Sequence, residues 1–495
     1  MKTVLRNYFK AAFPAIAIQT SDEGRACADV IAAAKEVGRS IVTWSATEGM
    51  RDVSAGGRAI DDTQDLMAAC SQRRENTVFI LRDPHTWPFD RDPILLRTFR
   101  DFLAAAPAGG SSVVILANSF QPHPTLEKLV VVLDYEMPSA EELAAIVAGI
   151  AESAGLPPAA SPELLRALGG LTASEAENAL SLSFVEMKGF DPAVIYREKI
   201  KAVKRTGLLE IVEPDPRGVE GIGGLEVLKA WILRRRRAWS PEAVEYGLPQ
   251  PKGVLLVGVP GTGKSLSAKA IGTALGVPTL KLDVGSLFNS LVGESERRTR
   301  DALKLAEAIS PCVLWIDEID KGLAGSSGSG SGDSGVTRRM FGTIISWMQE
   351  KARPVFIVAT ANQVSALPPE LLRKGRFDEI FAVDLPTFEE RKIIFGIHLR
   401  NRGRAPGSFD VQALAKVTEG FTGSEIESVV TDAMFESFDA SIPLETRHLL
   451  TSAQSTIPLA TTMKEEISAI REWAKTRARA ASAPEAPAST SRKLG

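Results

Sequence analysis

Cysteine is scarce in this chain, and what there is forms no pattern. Three cysteines, Cys27, Cys70 and Cys312, lie far apart in 495 residues. An odd, scattered set excludes a disulfide framework and the paired spacing of a structural zinc site; it suits free thiols in a reducing compartment. Aromatic residues make up only 6%, and neither sign of charge dominates, the formal net charge being −3. A dedicated nucleic-acid binder carries a clearly basic surface, so that class is disfavoured. No apolar run approaches the roughly 20 residues that span a bilayer. The opening segment has Lys2, Arg6 and Lys10, but its apolar part is short, contains Pro14 and lacks a small-residue cleavage site. It reads as a helix leading into a strand, not as a signal peptide. These absences point to a soluble, cytoplasmic protein of about three or four domain-sized units.

What is present is concentrated in the second half. The apolar run Val254–Val257 reads as a buried parallel strand. It leads into Gly258-Val259-Pro260-Gly261-Thr262-Gly263-Lys264-Ser265, which fits the phosphate-loop pattern G-x-x-x-x-G-K-[ST]. Glycines let such a loop curl until its N–H groups point inward at phosphate oxygens, and the helix that starts there adds its positive end. Lys264 is placed to reach the β- and γ-phosphates of a nucleotide, and the Ser265 hydroxyl to take one Mg²⁺ position. A helix-like segment, Ser267 to Leu275, follows. Downstream, Cys312-Val313-Leu314-Trp315-Ile316-Asp317-Glu318 is an apolar strand ending in two carboxylates. Asp317 can stand beside the Mg²⁺ shell while Glu318 polarises an attacking water. Asn362, after the strand Val355–Ala359, is either an amide orienting water and γ-phosphate or a polar strand end. Arg373 and Arg376 are either a fork of donors for a phosphoryl transition state or a pair of surface arginines.

The first half alternates short apolar runs with helical patterns, the signature of a parallel sheet covered by helices. The runs are Ile16–Gln19, Ile41–Trp44, Val78–Leu81, Val113–Ala117 and Leu129–Leu133, separated by helices at Asp22–Glu36, Asp62–Arg73 and Ile94–Ala105. Its first strand runs into Thr20-Ser21-Asp22-Glu23-Gly24 without a phosphate loop, and its third ends in Arg82-Asp83-Pro84 without an acidic pair. Its later parts echo the second half. Val113 to Asn118 parallels Val355 to Asn362, Asp134 with Pro138 to Glu142 parallels Asp384 with Pro386 to Glu390, and Gly170 to Glu175 parallels Gly420 to Glu425. An internal duplication is the favoured reading, with the first copy stripped of nucleotide chemistry.

A helical stretch from about Asp191 to Lys204 bridges the halves, and the Pro/Gly cluster Glu213 to Gly218 marks a boundary. Arg234 to Arg237 sit on an expected helix, as a solvated face or a subunit contact rather than a phosphate-backbone contact. Gly325 to Gly335 is a flexible Gly/Ser loop, either a linker or a mobile loop near the site. Further helices are expected at Glu389–Arg400, Ser424–Phe435 and Thr462–Ala478, with an unstructured tail from Ala481.

Taken together, Gly258 to Ser265, Asp317-Glu318, Thr360-Ala361-Asn362 and Arg373 to Asp378 resemble an AAA+ ATPase of the AAA clade. Gly420-Phe421-Thr422-Gly423-Ser424 is similar to that clade's lid motif, and the match covers about 221–440. The whole chain resembles the AAA ATPases called hypothetical chloroplast reading frame proteins, through LDVGSLFNSLVGESE, PCVLWIDEIDK, LPPELLRKGRFDEIF and the degenerate first half. The resemblance implies an α/β P-loop module with a helical lid, preceded by a degenerate AAA-like α/β module. It implies ATP and Mg²⁺ held between the subunits of a homo-oligomeric ring, usually a hexamer. It makes Asn362 a sensor and Arg373 and Arg376 fingers for a neighbour's nucleotide. It puts Gly223 near the adenine, and adds Leu266 and Gly423 to the nucleotide-binding set. The expected division is 1–204 for the degenerate module, 205–387 for the ATPase α/β part, 388–480 for the lid and last helix, and 481–495 for the tail.

Two departures bear on function. Ser290-Leu291-Val292-Gly293 stands where the family's substrate-gripping loop has an aromatic residue, and Lys374 stands where proline is common. The leading expectation is an ATP-hydrolysing ring that remodels a protein client. The competing one is a nucleotide-gated scaffold that assembles with ATP without threading a substrate. A nucleic-acid motor is the weakest, and no membrane span is expected.

Overall fold

The computed structural model describes residues 1–61, 64–72, 74–157, 160–285, 294–324, 333–351 and 353–483. The chain divides into two compact units, Met1–Tyr196 and Arg197–Gly495. The division falls inside the helix Pro192–Thr206, and the Pro/Gly cluster after it belongs to the second unit.

The first unit is built on a seven-stranded sheet: β1 (Ala15–Gln19), β2 (Ser40–Ser45), β3 (Gly49–Asp52), β4 (Arg58–Asp61), β5 (Thr77–Arg82), β6 (Ser112–Ala117) and β7 (Val130–Asp134). Across the sheet they run β4-β3-β2-β5-β6-β1-β7, parallel except for the β3 and β4 hairpin at one edge. The apolar runs form strands because both faces are covered. Ala15, Ala17, Val113 and Ile115 pack on one face with Leu95, Phe99 and Leu103 of the helix Pro93–Ala105. Ile16, Ile18, Val114 and Leu116 pack on the other with Val30 and Ala34 of the helix Glu23–Glu36. Successive residues thus serve opposite cores, the period of two that a strand imposes. The hairpin was not expected, since GMRD and RAID are too polar to register as strands; its backbone pairing with β2 makes them so.

The second unit has strands β8 (Glu210–Val212), β9 (Gly253–Gly258), β10 (Thr279–Leu282), β11 (Cys312–Ile316), β12 (Val355–Ala361), β13 (Glu379–Val383) and β14 (Arg479–Ala480). Their order is β14-β13-β9-β12-β11-β10-β8. Numbering β1, β2, β5, β6 and β7 of the first unit and β9 to β13 of the second from one to five in chain order, both sheets read 5-1-4-3-2. The first three α-helices after the fifth strand are Ala140–Ala154, Pro162–Leu168 and Ala173–Met187 in the first unit and Phe388–Asn401, Val411–Val417 and Gly423–Asp439 in the second. The first and third of each set begin with a capping box: Ser139/Glu142, Thr172/Glu175, Thr387/Glu390 and Thr422/Glu425. Each box satisfies two N–H groups that a helix start leaves open. The repeat seen in the sequence is therefore a repeat of architecture.

Two expectations are corrected. The helix near the four arginines spans Glu226–Leu233, and Arg234 to Arg237 lie in turns beyond it. Arg235 folds back there, its guanidinium 3.3 Å from the Trp231 ring centroid and donating to the Trp231 carbonyl at 3.1 Å. The tail is also not free at Ala481. Arg479–Ala480 adds to the edge of β13, and Ala481 is 0% exposed. Its N–H donates to the Ala382 carbonyl at 2.9 Å, and its own carbonyl accepts from Val227 and Leu228 at 3.0 and 3.1 Å. Composition alone reads this segment as unstructured, but main-chain pairing needs no large side chain. Of the Gly/Ser loop expected at Gly325 to Gly335, residues 325–332 lie outside the described residues, while Asp333 to Gly335 open the helix Asp333–Glu350 instead of continuing a loop; the Ser290 to Gly293 stretch and residues 484–495 also lie outside the described residues.

The units differ where the first strand meets its helix. In the first unit the Asp22 carboxylate, 6% exposed, accepts from the Ala173 N–H at 2.9 Å and from Arg25 Nε at 3.1 Å. Arg25 also pairs with Glu142 at 3.1 Å and lies 4.4 Å from the Tyr135 ring centroid. In the second unit the equivalent helix starts at Gly423, and the next residue, Ser424, donates its N–H to the Gly261 carbonyl at 3.1 Å. A fixed carboxylate at the mouth of the first loop opposes any phosphate there. Asp22→Asn should lower the stability of the first unit by about 1–3 kcal/mol, because a buried charge-assisted acceptor is lost. Hydrogen exchange at the Ala173 amide is the check; unchanged protection would mean that Asp22 does not hold this helix.

Candidate nucleotide site

The loop after β9 is shaped by two glycines with different duties. A Cβ on Gly258 would lie 1.9 Å from the Val383 carbonyl oxygen of β13, so strand packing requires its absence. Gly263 has φ +92, a left-handed backbone that lets the helix Lys264–Leu275 begin at once. Thr262 Oγ1 ties the loop by donating to the Val259 carbonyl at 2.8 Å. Lys264 Nζ donates to the carbonyls of Gly258 and Val259 at 2.8 and 2.7 Å. Lys264 is 6% exposed, and burial pushes its pKa down to about 8, while Asp320, Glu318 and Asp317 oppose the fall. Pro260 is half-buried in the loop, and Ser265 and Leu266 are exposed at the helix start.

Three adjacent parallel strands bring the remaining groups to this edge. Pairing of β12 with β9 sets Ala361 against Val257, and pairing with β11 sets Ala359 against Ile316. One residue further along each, Asn362 stands by the loop and Thr360 stands by Asp317. The Thr360 hydroxyl donates to Asp317 Oδ1 at 2.7 Å and accepts the Glu318 N–H at 2.8 Å. Ser265 Oγ donates to the same Asp317 oxygen at 3.1 Å, and Lys281 Nζ lies 3.5 Å from the other. Glu318 has φ +46, a left-handed conformation costing a non-glycine residue about 1–3 kcal/mol. Its Oε1 accepts from Asn362 Nδ2 at 3.2 Å and its Oε2 pairs with Lys321 Nζ at 2.6 Å. Asp320 Oδ2 fixes the turn after β12, accepting from the N–H groups of Asn362 and Gln363 at 3.1 and 2.9 Å.

The lid meets the loop from above. Ser424 Oγ donates to the Gly261 carbonyl at 3.2 Å, and a Cβ on Gly423 would lie 3.4 Å from the same oxygen. Gly223 packs on Ile394 of the lid so closely that a Cβ would lie 2.3 Å from Ile394 Cγ1. The buried Glu390 fastens this region: its Oε1 accepts from the Leu225 N–H at 3.0 Å and from Ser482 Oγ at 2.6 Å.

The structure thus gathers Lys264, Ser265, Asp317, Glu318 and Asn362 at one edge, with Gly261 under Gly423. Arg373 and Arg376 lie apart from that cluster, on the segment between β12 and β13. Lys252 pins this segment through the Gly375 carbonyl at 2.7 Å, and Asp378 caps the Lys252 and Gly253 amides at 2.8 and 3.1 Å. Arg373 is exposed and lines a cleft of about 1790 Å³ with Arg234, Arg235 and Trp473, while Arg376 is half-buried. Lys281 and Lys321 are contributors that the sequence reading did not single out, and Thr360 entered it only within the motif Thr360-Ala361-Asn362, with no role of its own. Thr360 was within reach, since it follows directly once β11 and β12 are taken as parallel neighbours in register.

A phosphate loop, an acid pair at the tip of β11 two strands away and a helical lid resting on the loop define a P-loop ATPase-type unit. Comparison with known proteins agrees. The family model "ATPase family associated with various cellular activities (AAA)" matches residues 254–385, and "AAA+ lid domain" matches 408–450. The chain also matches "SpoVK-like AAA ATPase, N-terminal domain" over 1–135 and "SpoVK-like AAA ATPase, second domain" over 141–206. An "Uncharacterized AAA domain-containing protein ycf46" of Guillardia theta is 37% identical over 475 residues, covering 94% of this chain and 93% of that one. Its counterpart in Trieres chinensis is 36% identical over 94% and 95%. A "Proteasome-activating nucleotidase" of Aeropyrum pernix is 38% identical over 39% of this chain and 47% of its own. The chain belongs to the AAA ATPases, in the family of AAA domain-containing ycf46 proteins. Among the described residues no helix is long and apolar enough to cross a membrane.

The buried lysine has a consequence for stability. Its folded pKa, about 8, lies below the ordinary 10.5, so folding carries the burden of a charged, desolvated ammonium at neutral pH. That burden is full below pH 8 and is relieved as pH rises from 8 to 10.5, where the folded chain holds fewer protons. Lys264→Met should therefore be more stable than the wild type by about 1–3 kcal/mol at pH 7 without nucleotide, the two lost carbonyl contacts offsetting part of the gain. Urea unfolding across this range is the measurement; a difference that fails to shrink towards pH 10.5 would contradict it.

Proposed function

We propose that this chain is a Mg²⁺-dependent ATP phosphohydrolase that assembles into a ring of identical subunits, six by family habit, and remodels a protein client. The observation that carries the reading is the arrangement at one sheet edge: Asp317 hydrogen-bonded to Ser265, and Glu318, one residue on, held by Asn362. The residues fit Mg·ATP. The loop and helix start offer main-chain N–H groups and a buried ammonium to phosphate, and Ser265 and Asp317 form an all-oxygen pair of the kind Mg²⁺ accepts. Bound there, Mg·ATP supplies the phosphoryl group and the charge that polarises it. Lys264 holds phosphate oxygens. Glu318 accepts the proton of a water, and the Asn362 amide keeps the carboxylate turned to it. Gly223, Pro260, Thr262, Leu266 and Gly423 complete the nucleotide's surroundings.

Arg373 and Arg376 lie outside their own chain's cluster, which suits donors lent to the next subunit, since loop and fingers are then distinct surfaces of one molecule. A protein client is supported by the likeness to a "Proteasome-activating nucleotidase" and to a "Cell division cycle protein 48 homolog" of Archaeoglobus fulgidus, 33% identical over 48% of this chain. The first unit keeps the architecture without a phosphate loop, as a partner-choosing module would. Three buried free thiols fit a reducing cytoplasm.

Phosphate release from ATP should vanish in Lys264→Ala and Glu318→Gln, and fall by roughly 10³-fold or more in Arg373→Ala. Mixing Arg373→Ala with Glu318→Gln subunits should restore part of the rate, because each lends the group the other lacks. Full activity in Glu318→Gln would remove the assigned base. Mixtures that stay inactive would remove catalysis between subunits. Unfolding of a fluorescent folded substrate, driven by ATP, separates a remodeller from a nucleotide-gated scaffold.

A further inference from the structure

The Glu318 side chain has a second partner that the reaction outlined above leaves unused. While Asn362 holds Oε1, the Lys321 ammonium lies 2.6 Å from Oε2. The contact is built into the local chain. Glu318 adopts its left-handed turn at φ +46, the Lys321 N–H donates to the Glu318 carbonyl at 2.9 Å, and the short helix Ile319–Ala324 returns Lys321 to the carboxylate three residues on. We propose that Lys321 is a positioning residue that restrains Glu318, holding the carboxylate on an ammonium for which the phosphate charge of a bound nucleotide competes without displacing it fully. This rests on the ATPase reading above.

Both oxygens of the Glu318 carboxylate are engaged, Oε1 by a neutral amide that orients it and Oε2 by an ammonium that stands where a water could otherwise hydrogen-bond. The restraint is of a releasable kind. Lys321 is 69% exposed in its side chain, and an exposed ion pair is weak enough to be exchanged for a denser anion. Its other electrostatic neighbours are Asp320 and Asp317, which like Glu318 raise the lysine's pKa and keep it charged near the cluster. Lys264, across the same acids, is buried and bonded to the loop carbonyls, so Lys321 is the one of these two lysines that is exposed. A lysine that stays partly on the carboxylate in the nucleotide-bound chain would thus hold the rate of hydrolysis down.

The test uses the full chain. Lys321→Met should raise kcat by about two- to fivefold with KM unchanged, the range an exposed ion pair can supply. Lys321→Arg, which keeps the charge, should restore the restraint. A kcat in Lys321→Met equal to or below that of the wild type would overturn the proposal while leaving the ATPase reading intact. A wild type that releases no phosphate would remove both. A second readout needs no turnover: in protein labelled with [ε-¹³C]lysine and without nucleotide, the Lys321 resonance is identified by its loss in Lys321→Arg. Its titration should move to lower pH in Glu318→Gln, and its shift should change when a non-hydrolysable Mg·ATP analogue is added to the wild type. A titration indifferent to Glu318→Gln would show that the two side chains do not pair.

Discussion

The parallel register of β11, β12 and β9 is the constraint on which the rest of the second unit depends. It is set by main-chain pairing inside a dry core, Ile316 against Ala359 and Ala361 against Val257. With that register fixed, the strands end together, and the next residue of each has to meet its neighbour. The phosphate loop, the acid pair and Asn362 therefore come from three distant parts of the chain without any one of them being positioned by its own sequence. Thr360 locks the result, one hydroxyl bridging the Asp317 side chain and the Glu318 backbone.

The same strand order in the first unit shows how little of a fold is catalytic. Both sheets read 5-1-4-3-2, and both lid-like helix sets start from capping boxes at matching places. What differs is the short link after the first strand. In the second unit it is a glycine-bearing loop that leaves main-chain groups facing inward. In the first it is Thr20-Ser21-Asp22, and a carboxylate takes the N–H of the lid-like helix for itself. Architecture was retained where burial demands it, and chemistry was replaced where a few side chains decide it.

Much of this was legible beforehand, and the reasons are local. Runs such as Val113–Ala117 and Cys312–Ile316 announce strands because both sheet faces are buried, so nearly every side chain is apolar. The phosphate loop is legible because its glycines and lysine act at fixed offsets. The hairpin β3 and β4 was not, since polar segments become strands only by pairing with a partner already in place. Nor was the course of the chain past Leu233, where Arg235 stacks on Trp231 instead of continuing the helix. The seating of Ala481 also escaped notice, since it is held by main-chain bonds from two separate elements.

The sequence by itself determined the phosphate-loop pattern and the acid pair that we propose hold phosphate and metal, and the apolar periods that make two α/β sheets, because both act over a few neighbouring positions. Tertiary structure alone decided which strand tips stand side by side, that Asn362 and Lys321 divide the two oxygens of Glu318, and that Arg373 and Arg376 stand apart from the cluster they were expected to serve in a neighbour. Those are distances across a folded core, and the spacing of letters along a chain does not contain them.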